Sequence, residues 1–337
     1  MKVSKLKKTT RVDFATYIGV TVVFIIMFAL QKSGGLSNSV SGMLVPCCCF
    51  IVMAVSLNLT VGILGELSLG HAGFMSVGAF SGVIAAMSLQ DAIPSGTARL
   101  IIAIVVGAVF AAIVGFIVGV PVLRLRGDYL AIVTLAFGEI IKELINCLLV
   151  GHDENGLHMA FNFNGQMSIS DLHLTENGVA IIKGAQGAAG TAKLASFPMG
   201  FVLVMVTLVI VLNLVRSRTG RAIMAIRDNR IAAESVGLNV TWYKLAVFVI
   251  AAFFAGCAGV LYGHSLANIK AAAFDYNMSI EILVIVVLGG MGSVPGSVIS
   301  AIVLILVMQA TNNPTMKRFF ASAKEKLTPG RKERAAL

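Results

Sequence analysis

The sequence has 337 residues, of which 57% are hydrophobic and only 12% are charged, and its formal net charge is +10. Its mean hydropathy of +0.90 excludes a soluble domain of ordinary composition. Apolar runs long enough to cross about 30 Å of hydrocarbon recur along most of the chain, and they lack the two-residue alternation of an outer-membrane barrel. We therefore predict an all-α fold, a polytopic transmembrane helical bundle.

The positive charge is concentrated in three segments of the chain. Residues 1–13 carry +4, the segment 216–244 carries +4, and the residues after Thr311 carry +5. An excess of Lys and Arg marks the cytoplasmic side of a membrane protein. We therefore expect cytoplasmic basic tails at 1–13 and 312–337, which flank a transmembrane domain at 14–311, and a cytoplasmic loop at 216–244. No basic folded surface suited to nucleic acid is evident.

Seven apolar runs in chain order predict the first seven membrane spans. They cover residues 14–30, 40–62, 72–89, 98–122, 129–150, 198–215 and 245–268. The fourth span contains a row of small residues, Ala111, Gly115 and Gly119, which predicts close approach of another helix. The polar segment 151–197 has more acidic than basic residues, which favours the outer, periplasmic side.

The last apolar region, 279–309, contains the sequence LGGMGSVPG in its middle. If the basic tail is cytoplasmic, this region must make one net crossing. We therefore predict a membrane helix that is broken or re-entrant at 289–296, an arrangement found where backbone is buried in protein or lines an aqueous cavity. This gives about eight crossings with both termini in the cytoplasm.

The loop 216–244 contains signals for a short helix. Asp228 or Asn229 can cap its N-terminus, and Gly237 can end it. A capped helix in a basic cytoplasmic loop predicts a docking surface for a soluble partner. The alternative is a solvated loop that only orients the protein.

Catalysis by this chain is not expected. The sequence contains no GxxxxGK[ST], HExxH or GxSxG motif. The cysteines have no CxxC spacing and lie in apolar runs, so that packing is favoured over a disulfide or a metal site. These are Cys47, Cys48, Cys49, Cys147 and Cys257. No cofactor is predicted.

Ionisable residues inside apolar runs are the candidates for a transport pathway, since a charge at mid-membrane costs roughly 2.5–3.5 kcal/mol. Glu139, Lys142 and Glu143 fall on one face of the fifth span. They predict either a polar seam along a pathway or subunit interface, or an ion pair that satisfies itself near the end of the helix.

A second group of candidates lies in the glycine-rich sequence GELSLGHAGF between the second and third spans. Glu66, Ser68 and His71 are its polar residues. They predict either a gate or pathway lining, or a compact turn whose polar groups cap helix ends.

Four blocks of the sequence resemble the M-type (LivM) permease family of branched-chain amino acid ABC importers. The blocks are LNLTVGILGELSLGHAGFMSVGAF (57–80), LRLRGDYLAIVTLAFGEII (123–141), GRAIMAIRDNRIAAESVGLNV (220–240) and ILVIVVLGGMGSVPGSVISA (282–301). They occur in family order between about residue 40 and residue 301, and four blocks in register make the resemblance specific.

The resemblance implies a permease subunit in a bacterial inner membrane. Its implied partners are a homologous H-type permease, two cytosolic ABC ATPases and a periplasmic amino-acid-binding protein. It also implies that the segment 227–237 contacts an ATPase. The residues carried over to this coupling role are Arg227, Asp228, Asn229, Arg230, Ala232, Ala233, Glu234 and Gly237.

The chain departs from the family pattern near its C-terminal region. Family members usually continue past GGMGS with two further spans, whereas here GSVISA runs directly into IVLILVMQATNNP. The sequence therefore predicts that about one helix of the family pattern is absent at this point.

Three alternatives to a leucine, isoleucine and valine importer remain open from sequence. The first is a permease for urea or short amides, since those importers use closely similar permeases. The second is an ion-coupled secondary transporter that uses Glu139, Lys142 and Glu143 as a proton relay. The third is a non-transporting membrane scaffold that binds a cytosolic partner through the same loop.

Overall fold

The computed structural model describes residues 2–90, 92–125, 127–153, 156–162, 172, 175 and 178–312. Side chains are described within these ranges from residue 14 to residue 307, except at 128. The predicted basic tails at 1–13 and 312–337 therefore lie outside the described side chains.

Helices dominate this part of the chain. They are α1 (Lys2–Lys32), α2 (Asn38–Asn58), α3 (His71–Ser88), α4 (Gly96–Val122), α5 (Asp128–Asn146), α6 (Phe197–Arg216), α7 (Arg218–Asp228), α8 (Arg230–Ser235), α9 (Val240–Gly263), α10 (Tyr276–Gly289) and α11 (Val294–Asn312). Within the described residues, seven helical segments are long and apolar enough to cross a membrane. The predicted all-α polytopic bundle is confirmed.

The helix α5 is not among those seven segments, and α11 contributes a shorter apolar helix, Val294–Val307. The fifth predicted span extended to residue 150, but α5 ends at Asn146. Leu148 begins a strand instead, because the residues after α5 bond to two neighbouring strands.

Small residues bring α3, α4 and α9 together at the centre of the bundle. A Cβ atom added to Gly78 would lie 2.4 Å from the Gly256 Cα atom, and one added to Gly115 would lie 2.5 Å from the Ala252 Cβ atom. At Gly256 an added Cβ would lie 2.5 Å from the Ala111 Cβ atom. The close approach predicted from the small-residue row of α4 is confirmed, and its partner is α9.

We expect Gly256→Leu to destabilise this three-helix centre. The added side chain would overlap α4 at Gly107, Ala108 and Ala111, and overpacking of this kind costs about 1–3 kcal/mol. The thermal midpoint of the purified chain in detergent should fall. Gly42→Leu is the matched control, because an added Cβ at Gly42 meets nothing within 4 Å. Equal midpoints for the two variants would contradict the proposed packing.

The polar segment 151–197 contributes most of a small antiparallel sheet. Its strands are β1 (Leu148–Asp153), β2 (Gly156–Phe161), β3 (Val179–Lys183), β4 (Ala188–Ala189) and β5 (Asn268–Ile269), in the order β2-β1-β3-β4-β5. The composition of the segment predicts only a polar loop here, so the sheet is an addition to that prediction. The short strands β4 and β5 join the segment to the connection between α9 and α10.

The predicted break in the last apolar region is present, between Gly289 and Val294. A tight turn with positive φ at Gly290 and Gly292 joins α10 to α11. The two helices lie against each other, since a Cβ added to Gly289 would lie 2.5 Å from the Gly296 carbonyl carbon, and Ser300 donates a hydrogen bond to the Ile285 carbonyl. We call this pair the α10–α11 hairpin.

The direction of α11 corrects the prediction of one net crossing in this region. Near its start, Ser297 bonds to Asn58 at the C-terminal end of α2. Further along, Ile305 and Leu306 line an apolar cavity of about 270 Å³ together with Val40, which lies near the start of α2. The helix α11 therefore runs antiparallel to α2 and returns to the end of the bundle from which α10 departs. The charges of the tails and loops alone do not predict this return.

Candidate docking surface and helix junction

The basic loop folds as two capped helices, α7 and α8. The Ser217 hydroxyl accepts a hydrogen bond from the Gly220 N–H at the start of α7. The Asn229 side chain accepts one from the Ala232 N–H at 3.0 Å, so Asn229, of the two candidates, caps α8. Gly237 has φ +85° just beyond α8, where the left-handed conformation favours glycine. The short helix predicted from the capping signals is confirmed.

A small apolar cluster holds α8 to the start of α9. Ile226, Ala233 and Val240 are buried together, and Leu238 and Tyr243 pack against them. This cluster fixes the orientation of α8, and therefore which of its residues face outward.

The outward face of α8 combines exposed apolar side chains with charges. Ile231 is 80% exposed and Val236 is 75% exposed. Arg230 and Glu234 form an ion pair at 2.8 Å beside them. Large apolar side chains exposed on a polar loop are typical of an interaction site, so this face, which we call the docking surface, suits a protein partner.

The inward side of the same loop contacts the end of α2. A π-helical turn, Leu59–Leu64, continues α2 and ends at Gly65, whose φ is +82°. Arg227 Nη1 donates a hydrogen bond to the Gly62 carbonyl at 2.9 Å. Lys244, at the start of α9, forms an ion pair with Glu66. The loop and the start of α9 therefore contact the end of α2 through one hydrogen bond and one ion pair.

Asn58 joins this contact to the α10–α11 hairpin. Its side-chain oxygen accepts a hydrogen bond from the Gly292 N–H at 2.8 Å, and its side-chain nitrogen donates one to the Ser297 hydroxyl at 3.0 Å. We call the set Asn58, Gly62, Arg227, Gly292 and Ser297 the junction. It brings three separate parts of the chain together: the end of α2, the loop and the hairpin turn.

The predicted coupling residues divide between the docking surface and the interior. Ala233 is buried, and Arg227 directs one guanidinium nitrogen inward to Gly62. Arg230 is half-buried. The exposed members of the set are Arg227, Asp228, Asn229, Ala232, Glu234 and Gly237.

The second predicted group, between α2 and α3, is not brought together as one site. Glu66 faces the loop, whereas His71 is buried and its Nε2 atom lies 2.8 Å from the Ser56 hydroxyl oxygen. The Ser68 hydroxyl is buried without a hydrogen-bond partner among the described residues. Side-chain capping of α3 by this segment is not seen either, since the Ala72 N–H donates to Ser279 of α10.

The third predicted group forms a local ion cluster at the sheet end of α5. Lys142 pairs with Glu139 and lies 3.6 Å from a carboxylate oxygen of Glu143. The other carboxylate oxygen of Glu139 accepts a hydrogen bond from the Tyr276 N–H at 3.0 Å, at the start of α10. The cluster is satisfied and ties α5 to α10, which favours the structural interpretation over a proton relay.

Comparison with known proteins identifies the family of this chain. The family model described as branched-chain amino acid transport system / permease component matches residues 39–323. The chain belongs to this permease family. It is a multi-pass membrane protein, and the match includes the whole of the junction and the docking surface.

Individual relatives in the permease family agree with this assignment. The high-affinity branched-chain amino acid transport system permease proteins LivM of Salmonella typhimurium and Escherichia coli are 34% and 33% identical to the chain. Each alignment covers 76% of this chain but 60% of the relative. A probable branched-chain amino acid transport permease protein LivM of Methanocaldococcus jannaschii is 24% identical, over 63% of this chain and 56% of that relative. No solved structure is a significant match.

Most of the junction in this permease was not predictable from sequence. Asn58 and Gly62 lie within the apolar run 40–62, which by itself predicts only a membrane span. A signal was present, because an Asn inside a membrane span is costly unless it is hydrogen-bonded. The partners of Asn58 are about 240 residues away in sequence, so the signal identified a polar contact without saying to what.

Proposed function

We propose that this chain is a permease subunit of a binding-protein-dependent ABC importer for the branched-chain amino acids leucine, isoleucine and valine. The observation that carries the proposal is the family match over residues 39–323. The chain spans about 60% of the length of the Salmonella and Escherichia relatives, which are named as permeases of such a system. Activity, substrate and partners are therefore proposals for this chain.

The proposed orientation places the docking surface in the cytoplasm of a bacterial cell, at the inner membrane. The charge excess of the loop 216–244 supports this side. Phe24 of α1 packs against Phe197 and Phe201 at the start of α6. This contact joins the second half of α1 to the end of α6 that lies away from the loop, and the charge of +4 on residues 1–13 supports a cytoplasmic N-terminus.

In this proposal the chain provides a pathway and a mechanical coupling, and performs no catalysis. Two cytosolic ATPases bind and hydrolyse ATP, and one of them seats on Ile231 and Val236, which are exposed and apolar. A homologous H-type permease completes the membrane pore, and a periplasmic binding protein delivers the amino acid. Movement of the ATPase displaces α7–α8 and changes the state of the permease pair.

Uptake of radiolabelled leucine tests this function. Cells with and without the gene are treated separately with arsenate, which depletes ATP, and with a protonophore, which collapses the proton gradient. We expect gene-dependent uptake that is lost under arsenate and persists under the protonophore. Gene-dependent uptake with the reverse sensitivity, or no gene-dependent leucine uptake, would contradict the proposal.

Glu139→Gln separates the importer from an ion-coupled transporter within the same assay. A proton relay through Glu139 would lose uptake with this substitution, because an amide does not titrate. We expect uptake to stay within about twofold of the unmodified chain, since glutamine keeps an oxygen to accept from the Tyr276 N–H. A loss of tenfold or more at an unchanged protein level would favour the relay.

A further inference from the structure

The carbonyl of Gly62 is available to a side chain because of the π-helical turn. In a continuing α-helix this oxygen would accept from the N–H of residue 66, four positions on. Here the Glu66 N–H donates to the Thr60 carbonyl instead, and so does the Gly65 N–H. Arg227 supplies the partner that the helix does not.

The hairpin turn lies directly on this same position. A Cβ atom added to Gly62 would lie 2.1 Å from the Gly292 nitrogen and 2.0 Å from the Asn58 side-chain oxygen. Gly292 itself has φ +85°, and a Cβ added there would lie 3.3 Å from the Gly62 oxygen. The turn and the end of α2 therefore pack backbone to backbone, with no room for a side chain between them.

Arg227 also bonds to Asp228, the last residue of α7, which lies two residues before the start of α8. Its Nε and Nη2 atoms donate to the Asp228 carboxylate at 3.2 and 3.1 Å, while Nη1 donates to Gly62. The Asp228 side chain is 68% exposed, so a partner that docks on α8 can reach it. One guanidinium group thus contacts both an exposed carboxylate at the end of α7 and the carbonyl of Gly62 at the end of α2.

We propose that Arg227 is the positioning residue that transmits movement of the docking surface to the α10–α11 hairpin, through Gly62 and Asn58. This inference rests on the proposed function for the source of the movement. When a docked partner binds the Asp228 carboxylate, the hydrogen bond from Arg227 to the Gly62 carbonyl changes. The hairpin turn, fixed to Asn58 by Gly292 and Ser297, moves with it.

The position of the hairpin turn can be measured without transport. Met291, at the turn, is 63% exposed. The full chain with Met291→Cys is taken into lipid nanodiscs directly from the expressing membranes, so that both faces are accessible. The labelling rate of this cysteine by a hydrophilic maleimide is compared with that of the chain with its native cysteines only.

We expect Arg227→Met and Asn58→Leu to change the labelling rate at Met291→Cys by at least threefold. Arg227→Lys, which keeps one charge but cannot hold Asp228 and Gly62 together, should give an intermediate rate. Arg221→Met is the matched control on the same helix, because Arg221 donates to the nearby Arg216 carbonyl. A rate unchanged by Arg227→Met, or changed equally by Arg221→Met, overturns the proposal.

The second measurement is leucine uptake relative to ATP consumed, in cells that express the unmodified chain or one of these variants. If Arg227 transmits movement, its loss lowers the amount of leucine taken up per ATP consumed. We therefore expect Arg227→Met to reduce uptake at least tenfold while the chain remains in the membrane with its partners. A purely structural residue would lower protein level and uptake together and leave the ratio unchanged, which would contradict the proposal. If the unmodified chain takes up no leucine while labelling still responds to Arg227→Met, the proposed function fails and the mechanical link stands.

Discussion

Ile231→Asp should abolish uptake by this permease while leaving the chain folded in the membrane. Ile231 is 80% exposed in α8, so its removal from the free chain exposes no core. In the proposed complex the same side chain is an apolar anchor at the centre of the docking surface. Interface anchors of this kind contribute about 2 kcal/mol or more, which is a factor of roughly 30 in affinity, and a buried, unpaired carboxylate adds to the loss.

The position of Ile231 makes this substitution a clean test. It is the second residue of α8, where an acidic side chain is favourable to the helix itself. Thr241→Asp is the matched control, because Thr241 is exposed at the second position of α9. Co-purification of the ATPases with the tagged chain, and leucine uptake, should fall at least tenfold for Ile231→Asp and stay within about twofold for Thr241→Asp. Equal retention in both variants would show that α8 is not the docking element.

The helix α8 was predictable because its signals are local. The cap at Asn229, the end at Gly237 and the charge excess of the loop all lie within 29 residues, from 216 to 244. The same holds for the small residues of α4, whose four-residue spacing places them on one face of a helix. Helix existence and the break at 289–296 followed equally from apolar runs and glycine positions.

The features that the sequence did not reveal depend on long-range contacts. The hairpin geometry is set by Asn58, which bonds to residues more than 230 positions away, and by the absence of side chains at Gly289 and Gly296. One net crossing was predicted there because the number of crossings was derived only from the side of the membrane assigned to each basic tail. The sheet was missed for a related reason: β4 and β5 are two residues each and pair across 79 and more positions of sequence.

The ion pair between Glu66 and Lys244 provides the second large expected effect. The Lys244 side chain is 8% exposed and the Glu66 side chain is 17% exposed. Removing one partner of such a pair leaves an uncompensated charge in a poorly hydrated site, which costs about 3–5 kcal/mol for a fully buried pair. We expect Lys244→Glu, which also opposes two carboxylates, to lower the thermal midpoint and to reduce uptake at least tenfold.

Exchange of the two charges separates the pair from its individual residues. The double variant Glu66→Lys with Lys244→Glu restores opposite charges at the same two positions, so it should recover most of the thermal midpoint that either single variant loses. The matched comparison is the Arg230–Glu234 pair, whose side chains are 37% and 48% exposed. Breaking that exposed pair should change stability by only about 0.5 kcal/mol.

Uptake by the double variant distinguishes a role of the ion pair in transport from a role of one of its two residues. If the ion pair serves only to hold the loop against the end of α2, reversed charges serve equally well, and uptake should return with stability. If stability returns and uptake does not, one of the two residues has a role that depends on its own sign, and Glu66 would then rejoin the candidates for the transport pathway. Because Glu66 follows Gly62 by four residues, the first outcome would also assign the ion pair and the Arg227 contact to one mechanical unit at the end of α2.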